Sequence, residues 1–349
     1  MTAVLSPSTP EEAAAALAEA SRAGESVSVV GGGTRSRRGR PRQAPDRELR
    51  TAGLRSVVAH EPADLTLTVE GGLPVVELAE LAASGGQCWP QAEIRPGSTV
   101  GGVLAAAASG RRRLRSGAVR DSLLQVVLAT GDGRLVTAGG RTVKGVSGFD
   151  LCRLAVGSLG TLGVIVQATL KLWPIPPAEG WFGMEAPLPE RLAAAERALT
   201  GPGRPASVLL APGRVAVELA GPADDVRPPD GMVPLPGAPD APEGQGTVEA
   251  GVPPPRLGDL AERLEGAALA YEARLGVGTC LVAVEQPGDV DRVRAWALEL
   301  GGHAVVIDGP DDLRADPWGP EPPGVHLMRR LRDAFDPAGV LNPGMVPWA

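Results

Sequence analysis

The sequence predicts an α+β fold in two parts, and three observations lead to this prediction. Residues 1–175 alternate β-rich runs with amphipathic helical segments, as a mixed α/β unit does. Residues 176–310 combine helices with short strands, which is typical of a smaller antiparallel α+β cap domain. The chain has 349 residues and is long for one domain. We therefore expect a first domain at 1–175 and a second at 176–310, followed by residues 311–349.

Local signals predict the elements of the first part in chain order. Residues 8–10 and the two acids after them cap the start of a helix, and SVSVV is a strand that ends in a glycine turn. Residues 56–70 give two short strands around a proline turn, and LPVVELAELAASGG gives an amphipathic helix closed by a glycine pair. A small-residue helix, VGGVLAAAASG, comes next. Two strands joined at Gly131–Gly133 form a hairpin, and GVIVQATLKLWPIP is the last strand.

The second part opens with a helix, PERLAAAERALTG, and short strands in ASVLLAPGRVAVELAG. Residues 221–258 are dominated by Pro, Gly, Ala and Asp, a composition that predicts a loop or linker unable to order itself. A long helix, LGDLAERLEGAALAYEARL, a strand, a further helix and the strand HAVVIDG follow. A proline-rich loop at 309–324 then leads to a final helix, VHLMRRLRDAF.

Composition excludes several classes of protein. The formal charge of −7 argues against nucleic-acid binding, which needs a basic face. The three cysteines are widely separated, so the sequence predicts no disulfide framework and no metal or iron–sulfur site in this chain. No apolar run is long enough for a membrane span, and the N-terminus does not resemble a secretory signal. We expect a cytoplasmic protein, with attachment to the inner membrane through partners as the alternative.

Three glycine-rich segments carry the chemistry. The first, VVGGGTR, ends a strand and exposes backbone amides that can hold a diphosphate. It does not open a helix with a later acidic residue, so it does not fit a nicotinamide-binding fingerprint. The second, PGSTVGGVLAAAASG, has small side chains against which a flat ligand can lie, and the third, GSLGTLGVI, precedes a hydrophobic strand. Each segment alone is equally compatible with an ordinary turn or a close packing contact.

In this order and spacing, the segments resemble the p-cresol-methylhydroxylase-type FAD domain of the vanillyl-alcohol-oxidase superfamily. The resemblance implies a two-part FAD-binding domain with a small antiparallel α+β cap domain. It also implies that residues 311–349 return to the FAD domain, because FDPAGVLNPG resembles the family's closing motif. The residues expected to bind FAD are Val30, Gly31, Gly32, Gly33, Thr34, Arg35, Pro96, Gly97, Ser98, Thr99, Gly101, Gly102, Ala106, Ser109, Ser158, Gly160, Thr161, Gly163, Val164 and Asn342.

The stretch from SGAVRDSLLQVVLATGDG to TLKLWPIP, with the short cap and GGHAVV, narrows the resemblance to the family of FAD-binding subunits E of bacterial glycolate oxidases. This implies an FAD-dependent oxidoreductase acting on CH–OH groups. The substrate would be glycolate or a related short 2-hydroxy acid, with hydride transferred to the flavin. The implied partners are a larger FAD-linked glycolate oxidase subunit and an iron–sulfur subunit. Two alternatives stay open: a non-catalytic flavin-relay or assembly subunit, and an independent FAD-dependent dehydrogenase of another alcohol.

Two features depart from the superfamily pattern. Leu159 stands where an acidic residue is frequent, which removes a side-chain contact but leaves the backbone contacts. No histidine lies in or near the first two glycine segments, so we expect FAD to be bound non-covalently.

Four other residues are considered for individual roles by their chemistry and position in the sequence. Arg111 and Arg113 can supply positive charge to a carboxylate or to reduced flavin, or belong to a solvated loop or a docking surface for another subunit. His303 is the first candidate by chemistry for a catalytic base, although a lone histidine is more often structural. Lys144 is one of two lysines, and we expect it to be a surface residue.

Overall fold

The computed structural model describes residues 2–40, 44–140 and 150–346. Lys144, expected above to be a surface residue, lies outside the described residues. The helices are α1 Pro10–Ala23, α2 Val75–Ser84, α3 Val100–Ala105, α4 Arg113–Ser116, α5 Leu151–Ala155, α6 Leu188–Thr200, α7 Leu257–Gly266, α8 Pro287–Glu299 and α9 Val325–Phe335. The strands are β1 Ala3–Leu5, β2 Val27–Val30, β3 Arg47–Arg50, β4 Val57–Glu61, β5 Thr66–Glu70, β6 Gln87–Cys88, β7 Leu123–Ala129, β8 Leu135–Gly139, β9 Val164–Lys171, β10 Trp173–Pro174, β11 Ala178–Glu185, β12 Ser207–Ala211, β13 Arg214–Gly221, β14 Val233–Leu235, β15 Gly246–Gly251, β16 Tyr271–Arg274, β17 Thr279–Val284 and β18 His303–Asp308.

The first part contains a parallel sheet, β1-β3-β2, and an antiparallel sheet, β4-β5-β9-β7-β8. Helix α1 begins at an N-cap, where Thr9 Oγ1 accepts from the Glu12 amide at 3.1 Å, and ends before Gly24 with φ +67°. Its apolar side packs into a core shared with β2, β3 and β9. Helices α2, α3 and α5 cover the other face of the antiparallel sheet. The central strands β5 and β9 are therefore buried on both faces.

The C-terminal residues lie in the core of this first part. Val340 and Leu341 are buried beside α1 and β2, and the Val27 amide donates to Val340 O at 2.8 Å. The Asn342 amide donates to Val27 O at 2.8 Å, which places the chain end next to the first glycine segment. The exact domain boundaries, at 175/176 and 310/311, remain a proposal.

The second part is built on an eight-stranded antiparallel sheet with the order β14-β11-β13-β12-β16-β17-β15-β18. Helices α6, α7 and α8 cover one face, and the alternate residues Val208, Tyr271 and Val282 point into that core. Because side chains alternate across a strand, the opposite face carries Glu218 and Glu272, and it faces the first part. The mixed architecture confirms the α+β class.

The prediction of a disordered loop at 221–258 is wrong for part of that range. Strand β15 lies between β17 and β18 inside the large sheet, and Val248 and Ala250 are fully buried. Averaged over a long Pro- and Gly-rich stretch, the composition hid a short alternation of apolar and polar residues. An interior strand needs only such an alternation, because its neighbours supply the hydrogen bonds.

The long helix predicted from Leu257 ends earlier. Helix α7 stops at Gly266, and Ala268 has φ +56°, after which the chain turns into β16. In β16, Tyr271 and Ala273 face the core while Glu272 and Arg274 face the other way. In this stretch, the period-two alternation of apolar residues typical of a strand directly follows the 3.6-residue repeat typical of a helix. Strands β1, β3, β11 and β14 were also not predicted.

Other elements agree with prediction. The hairpin of β7 and β8 turns at residues 130–134, where Gly133 has φ +85°. Strands β4 and β5 pair around Pro62, and helices α1, α2, α6 and α8 lie where their sequence signals place them.

Candidate functional site

A cavity of about 250 Å³ brings the three glycine-rich segments together. We call this cavity the cradle. Val30–Arg35 form one wall, Thr99, Gly102, Ala105 and Ala106 a second, and Leu159 and Asn342 a third. Segments more than 120 residues apart in sequence thus surround one space, as the resemblance implied.

The first and second segments meet backbone to backbone. A Cβ at Gly32 would overlap the carbonyl oxygen of Gly97, and a Cβ at Gly31 would overlap the Thr99 hydroxyl. Gly33 has φ +70°, in the region that favours glycine. Glycine is required at the first two positions by close approach, and at the third by conformation.

The second segment is held by its own hydrogen bonds. Thr99 caps α3, with Oγ1 accepting from the Gly102 amide at 3.2 Å. Ser98 is buried, and its hydroxyl donates to Arg95 O at 2.5 Å. Gly101 packs against Gly71, to whose carbonyl its amide donates at 2.7 Å. Thr99 and Gly102 therefore line the cradle, whereas Pro96, Gly97, Ser98 and Gly101 shape the backbone behind it.

The third segment contributes one lining residue. Leu159 has φ +54°, its amide donates to Ala105 O at 2.9 Å, and it lines the cradle. Thr161 Oγ1 donates to Ser158 O at 2.7 Å, and Gly163 and Val164 lead into β9, where Val164 is buried in the core. Ser158 Oγ is buried without a hydrogen-bond partner among the described residues. The predicted residues of this segment shape the turn or lead into β9. The side chain that lines the cavity is that of Leu159.

Asn342 ties the first segment to the third. Its Oδ1 accepts from the Val29 amide and its Nδ2 donates to Leu159 O, both at 3.0 Å. The residue is 3% exposed and lines the cradle. A Cβ at Gly160 would come within 2.6 Å of Nδ2, so glycine there leaves room for the carboxamide.

A second, smaller cavity of about 60 Å³ adjoins the cradle, and Thr34, Arg35 and Arg38 line both. We call it the junction pocket. Ser109 lines it from the first part, while Glu249, Arg274 and Asp308 line it from the large sheet. The junction pocket therefore lies between the predicted FAD loops and the cap.

Ion pairs fix the wall of the junction pocket on the side of the first part. Arg35 Nη2 lies 2.8 Å from Glu93 Oε2, and Arg95 Nη2 lies 2.7 Å from Glu93 Oε1. Burial alone would raise the pKa of Glu93, but the hydrogen bonds and charges of Arg35 and Arg95 lower it overall. Glu93 is thus a carboxylate whose charge is matched by two arginines.

The arginine stretch after α3 joins the first part to the large sheet. Arg111 Nη2 pairs with Glu272 Oε2 at 2.5 Å, and Arg112 Nη2 pairs with Glu218 Oε1 at 2.7 Å and with Glu179 Oε2 at 2.6 Å. Glu218 and Glu272 are only 4% and 2% exposed. These arginines therefore do not form a solvated loop. They dock on the cap of their own chain.

Arg111 and Arg113 differ in what they leave available. Arg111 is committed to Glu272 but lines a third cavity, of about 700 Å³, which shares Glu93, Arg95 and Arg274 with the junction pocket. Arg113 is half-buried, and burial lowers its pKa. Arg113 lines none of the three cavities among the described residues, so the structure gives no support to its predicted role beside flavin or substrate.

His303 lies away from the junction pocket. It is exposed at the start of β18, with its ring over Gly251, whereas Ile307 and Asp308 at the other end of the strand line the pocket. Four residues of strand span roughly 13 Å. The geometry therefore does not support His303 as a catalytic base.

Sequence reasoning missed six charged residues of the junction pocket: Arg38, Glu93, Arg95, Glu249, Arg274 and Asp308. Arg38 belongs to the arginine-rich run after the first glycine segment, where nothing in the pattern says which arginine turns inward. Glu249 and Arg274 lie on strands β15 and β16, which were predicted as loop and helix. A period-two alternation in those short stretches was the only available signal.

Family comparison agrees with this architecture. Residues 1–139 match the model of the FAD binding domain, and residues 318–346 match the model of the C-terminal domain of FAD linked oxidases. Both matched regions are thus similar to domains of FAD-linked oxidases. FAD is therefore the cofactor that the match at residues 1–139 implies. The two matched regions are the ones that meet at the cradle.

Curated relatives match the chain over part of its length. Glycolate oxidase subunit GlcE of Escherichia coli (strain K12) is 37% identical over 40% of the chain and 40% of the relative. D-lactate dehydrogenase of Archaeoglobus fulgidus is 35% identical over 49% of the chain and 38% of the relative. Glycolate oxidase subunit GlcD of Bacillus subtilis (strain 168) is 36% identical over 35% of the chain and 26% of the relative. The matches thus span less than half of the relatives' own length.

The solved structure of alkyldihydroxyacetonephosphate synthase is similar to this protein over 97% of the chain and 75% of its own. The TM-score is 0.69 and the sequence identity is 15%, so the likeness concerns the fold alone. Within the ranges described, no helix combines the length and the apolar character needed to cross a bilayer. The same ranges hold no cluster of three or more His, Cys, Asp or Glu side chains suited to a metal ion.

Proposed function

We propose that this chain is the FAD-binding subunit of a glycolate oxidase-type complex that oxidises glycolate or a related short 2-hydroxy acid. The observation that carries the proposal is the junction pocket. It shares Thr34, Arg35 and Arg38 with the cradle, and the cap supplies charged residues on its other side. The similarity to the glycolate oxidase subunits GlcE and GlcD supports the substrate class. We propose a larger FAD-linked subunit and an iron–sulfur subunit as its partners.

The residues present fit a dinucleotide. Glycines at positions 31 and 32 leave the backbone bare where a Cβ would close the cavity, and the buried Ser158 hydroxyl is unpaired among the described residues. None of the histidine, cysteine or tyrosine side chains, the groups able to form a covalent flavin link, lines the cradle. His60 bonds to Gln87, His303 and His326 lie on β18 and α9, and the single tyrosine, Tyr271, is in the cap core. We propose that FAD is held non-covalently, largely by backbone amides.

The chemistry asked of the chain is simple to state. Bound FAD accepts the hydride from the carbinol carbon, and a base must take the hydroxyl proton to leave a 2-oxo acid. Glu249 lines the junction pocket as an acid on β15. We assign the role of base to Glu249 rather than to His303.

Spectroscopy of the purified chain tests the proposal. Recombinant chain should be yellow, should release intact FAD on acid treatment, and should lose its flavin absorbance when glycolate is added without oxygen. When the chain is co-expressed with the products of the neighbouring genes, its purification should also recover a second flavoprotein and a cysteine-rich chain. Colourless protein that takes up no added FAD would contradict the proposal.

The second candidate is a flavin-relay subunit, in which the larger partner performs the oxidation. The pairing of Arg111 and Arg112 with cap carboxylates favours it, because these cations are then not available for a substrate carboxylate. The two candidates differ in one result. In a relay subunit, glycolate reduces the flavin of this chain only when the larger subunit is present.

A further inference from the structure

Arg38 is the cation at the boundary between the cradle and the junction pocket. Its Nη1 donates to Ala106 O at 2.8 Å. Its Nε is shielded from solvent and makes no hydrogen bond within the described residues. The side chain is half-buried, and it borders a cavity on either side.

Neighbouring arginines of the junction pocket are neutralised, and Arg38 is not. Arg35 and Arg95 pair with Glu93, and Arg274 Nε lies 3.2 Å from Glu272 Oε1. Within the described ranges, Arg38 has no carboxylate at ion-pair distance. Burial lowers the pKa of Arg38. The charge of Glu249 opposes this effect more than the charge of Glu93 does. Because a buried charge without a partner is costly, an anionic ligand would complete this site.

We propose that Arg38 binds an oxyanion at this boundary, and that the oxyanion is the carboxylate of the substrate. The guanidinium fork suits a carboxylate, to which it can donate two parallel hydrogen bonds. The substrate part of this inference rests on the proposed function. The same chemistry could be provided by the diphosphate of FAD, so the two sources must be separated by experiment.

Position favours the substrate over the diphosphate. The glycine turn of residues 31–33 lies against residues 97–99, at the start of α3, whereas Arg38 bonds to Ala106, just past its end. Six residues of helix span roughly 9 Å. Arg38 is thus displaced from the turn toward Ser109 and Glu249 of the junction pocket. A carboxylate held by Arg38 would lie on the same side as the proposed base.

The test compares Arg38→Gln with Arg38→Lys, and uses Arg40→Gln as the matched control. Arg40 is two residues away, exposed, and paired only weakly with Asp316 at 4.0 Å. Two dissociation constants are measured for each protein. The dissociation constant of FAD comes from flavin fluorescence, and that of oxalate comes from the absorbance change of the FAD-loaded protein. Oxalate carries the carboxylate but cannot be oxidised by hydride loss.

We expect Arg38→Gln to weaken oxalate binding about 10- to 100-fold while FAD affinity stays within about threefold. Arg38→Lys should recover part of the oxalate affinity, and Arg40→Gln should change neither constant. Loss of FAD affinity with oxalate binding intact would assign the oxyanion to the diphosphate. No change in either constant for Arg38→Gln would overturn the anion site. If the unmodified protein binds no oxalate, the proposed substrate class fails. The dissociation constant of FAD alone then shows whether Arg38 binds the diphosphate.

Discussion

At the scale of single residues, the geometry of the cradle depends on two kinds of position: glycines, which have no side chain, and residues whose side chain bonds to the backbone. Asn342 is an example, since one carboxamide satisfies an amide of the first glycine segment and a carbonyl of the third. Removing it would leave both buried groups without these bonds, which costs about 1–3 kcal/mol for each group. Binding geometry and stability are thus set by the same residue.

Gly32→Ala should abolish FAD retention, because the new methyl group would overlap the Gly97 carbonyl and push the first two segments apart. FAD content after gel filtration measures the effect. Gly237→Ala is the control, since a Cβ there meets nothing within 4 Å. Equal FAD content in the two variants would show that the two loops tolerate separation.

Glu249→Gln should slow flavin reduction by glycolate about 10²- to 10⁴-fold, the usual contribution of a general base, with FAD content unchanged. His303→Ala should leave the rate within about twofold, because His303 is exposed and distant from the junction pocket. Anaerobic stopped-flow absorbance gives both rates. The reverse result would restore His303 as the base.

At the scale of elements, strand β15 shows how neighbours decide what a segment becomes. Its composition belongs to a long Pro- and Gly-rich stretch, yet it pairs on both sides, with β17 and β18. Local propensity is a weak signal for six residues when two adjacent strands offer a complete set of hydrogen-bond partners. The same strand delivers Glu249 to the junction pocket.

Val248→Asp should prevent folding of the cap or lower its unfolding free energy by several kcal/mol, because Val248 is 0% exposed and a charge there would have no partner. Val233→Asp, in the same Pro- and Gly-rich range but 61% exposed, should cost less than about 0.5 kcal/mol. Urea unfolding followed by circular dichroism measures both. Equal stability of the two variants would mean that the range is a loop after all.

At the scale of the whole molecule, charged pairs hold the cap over the FAD-binding part. Arg111 and Arg112 extend from the first part and end on carboxylates of the large sheet that are almost fully buried. Burial opposes the charged form of Arg112, but its bonds and charge interactions with Glu218 and Glu179 raise its pKa overall. Arg112 therefore stays charged at neutral pH, and its guanidinium is the partner of the buried Glu218.

Arg112→Met should destabilise the protein by about 3–5 kcal/mol, since it leaves the buried Glu218 unpaired. The double variant Arg112→Met with Glu218→Met should regain most of that loss. Arg153→Met, at an exposed pair with Asp150, should cost at most about 1 kcal/mol. Thermal unfolding of these variants, of Glu218→Met alone and of the unmodified protein tests this. Additive losses in the double variant would show that the pair does not couple the two parts.

The sequence by itself determined the glycine-rich segments, their order, the principal helices of the first part and the implied cofactor. These features rest on local requirements: a cap, a turn with positive φ, or a stretch of small residues can be recognised without knowing what lies opposite. Asn342 was likewise found from a local motif. The match of residues 1–139 to the model of the FAD binding domain then agreed with this cofactor.

Only the tertiary structure decided which charged residues face one another. Arg38, Glu249 and Arg274 converge on the junction pocket, whereas His303 does not reach it and Arg113 does not line it. Whether an arginine in a run of arginines turns inward depends on space and partners supplied by strands more than 200 residues away. Register and ion pairing are long-range properties, and no local pattern encodes them.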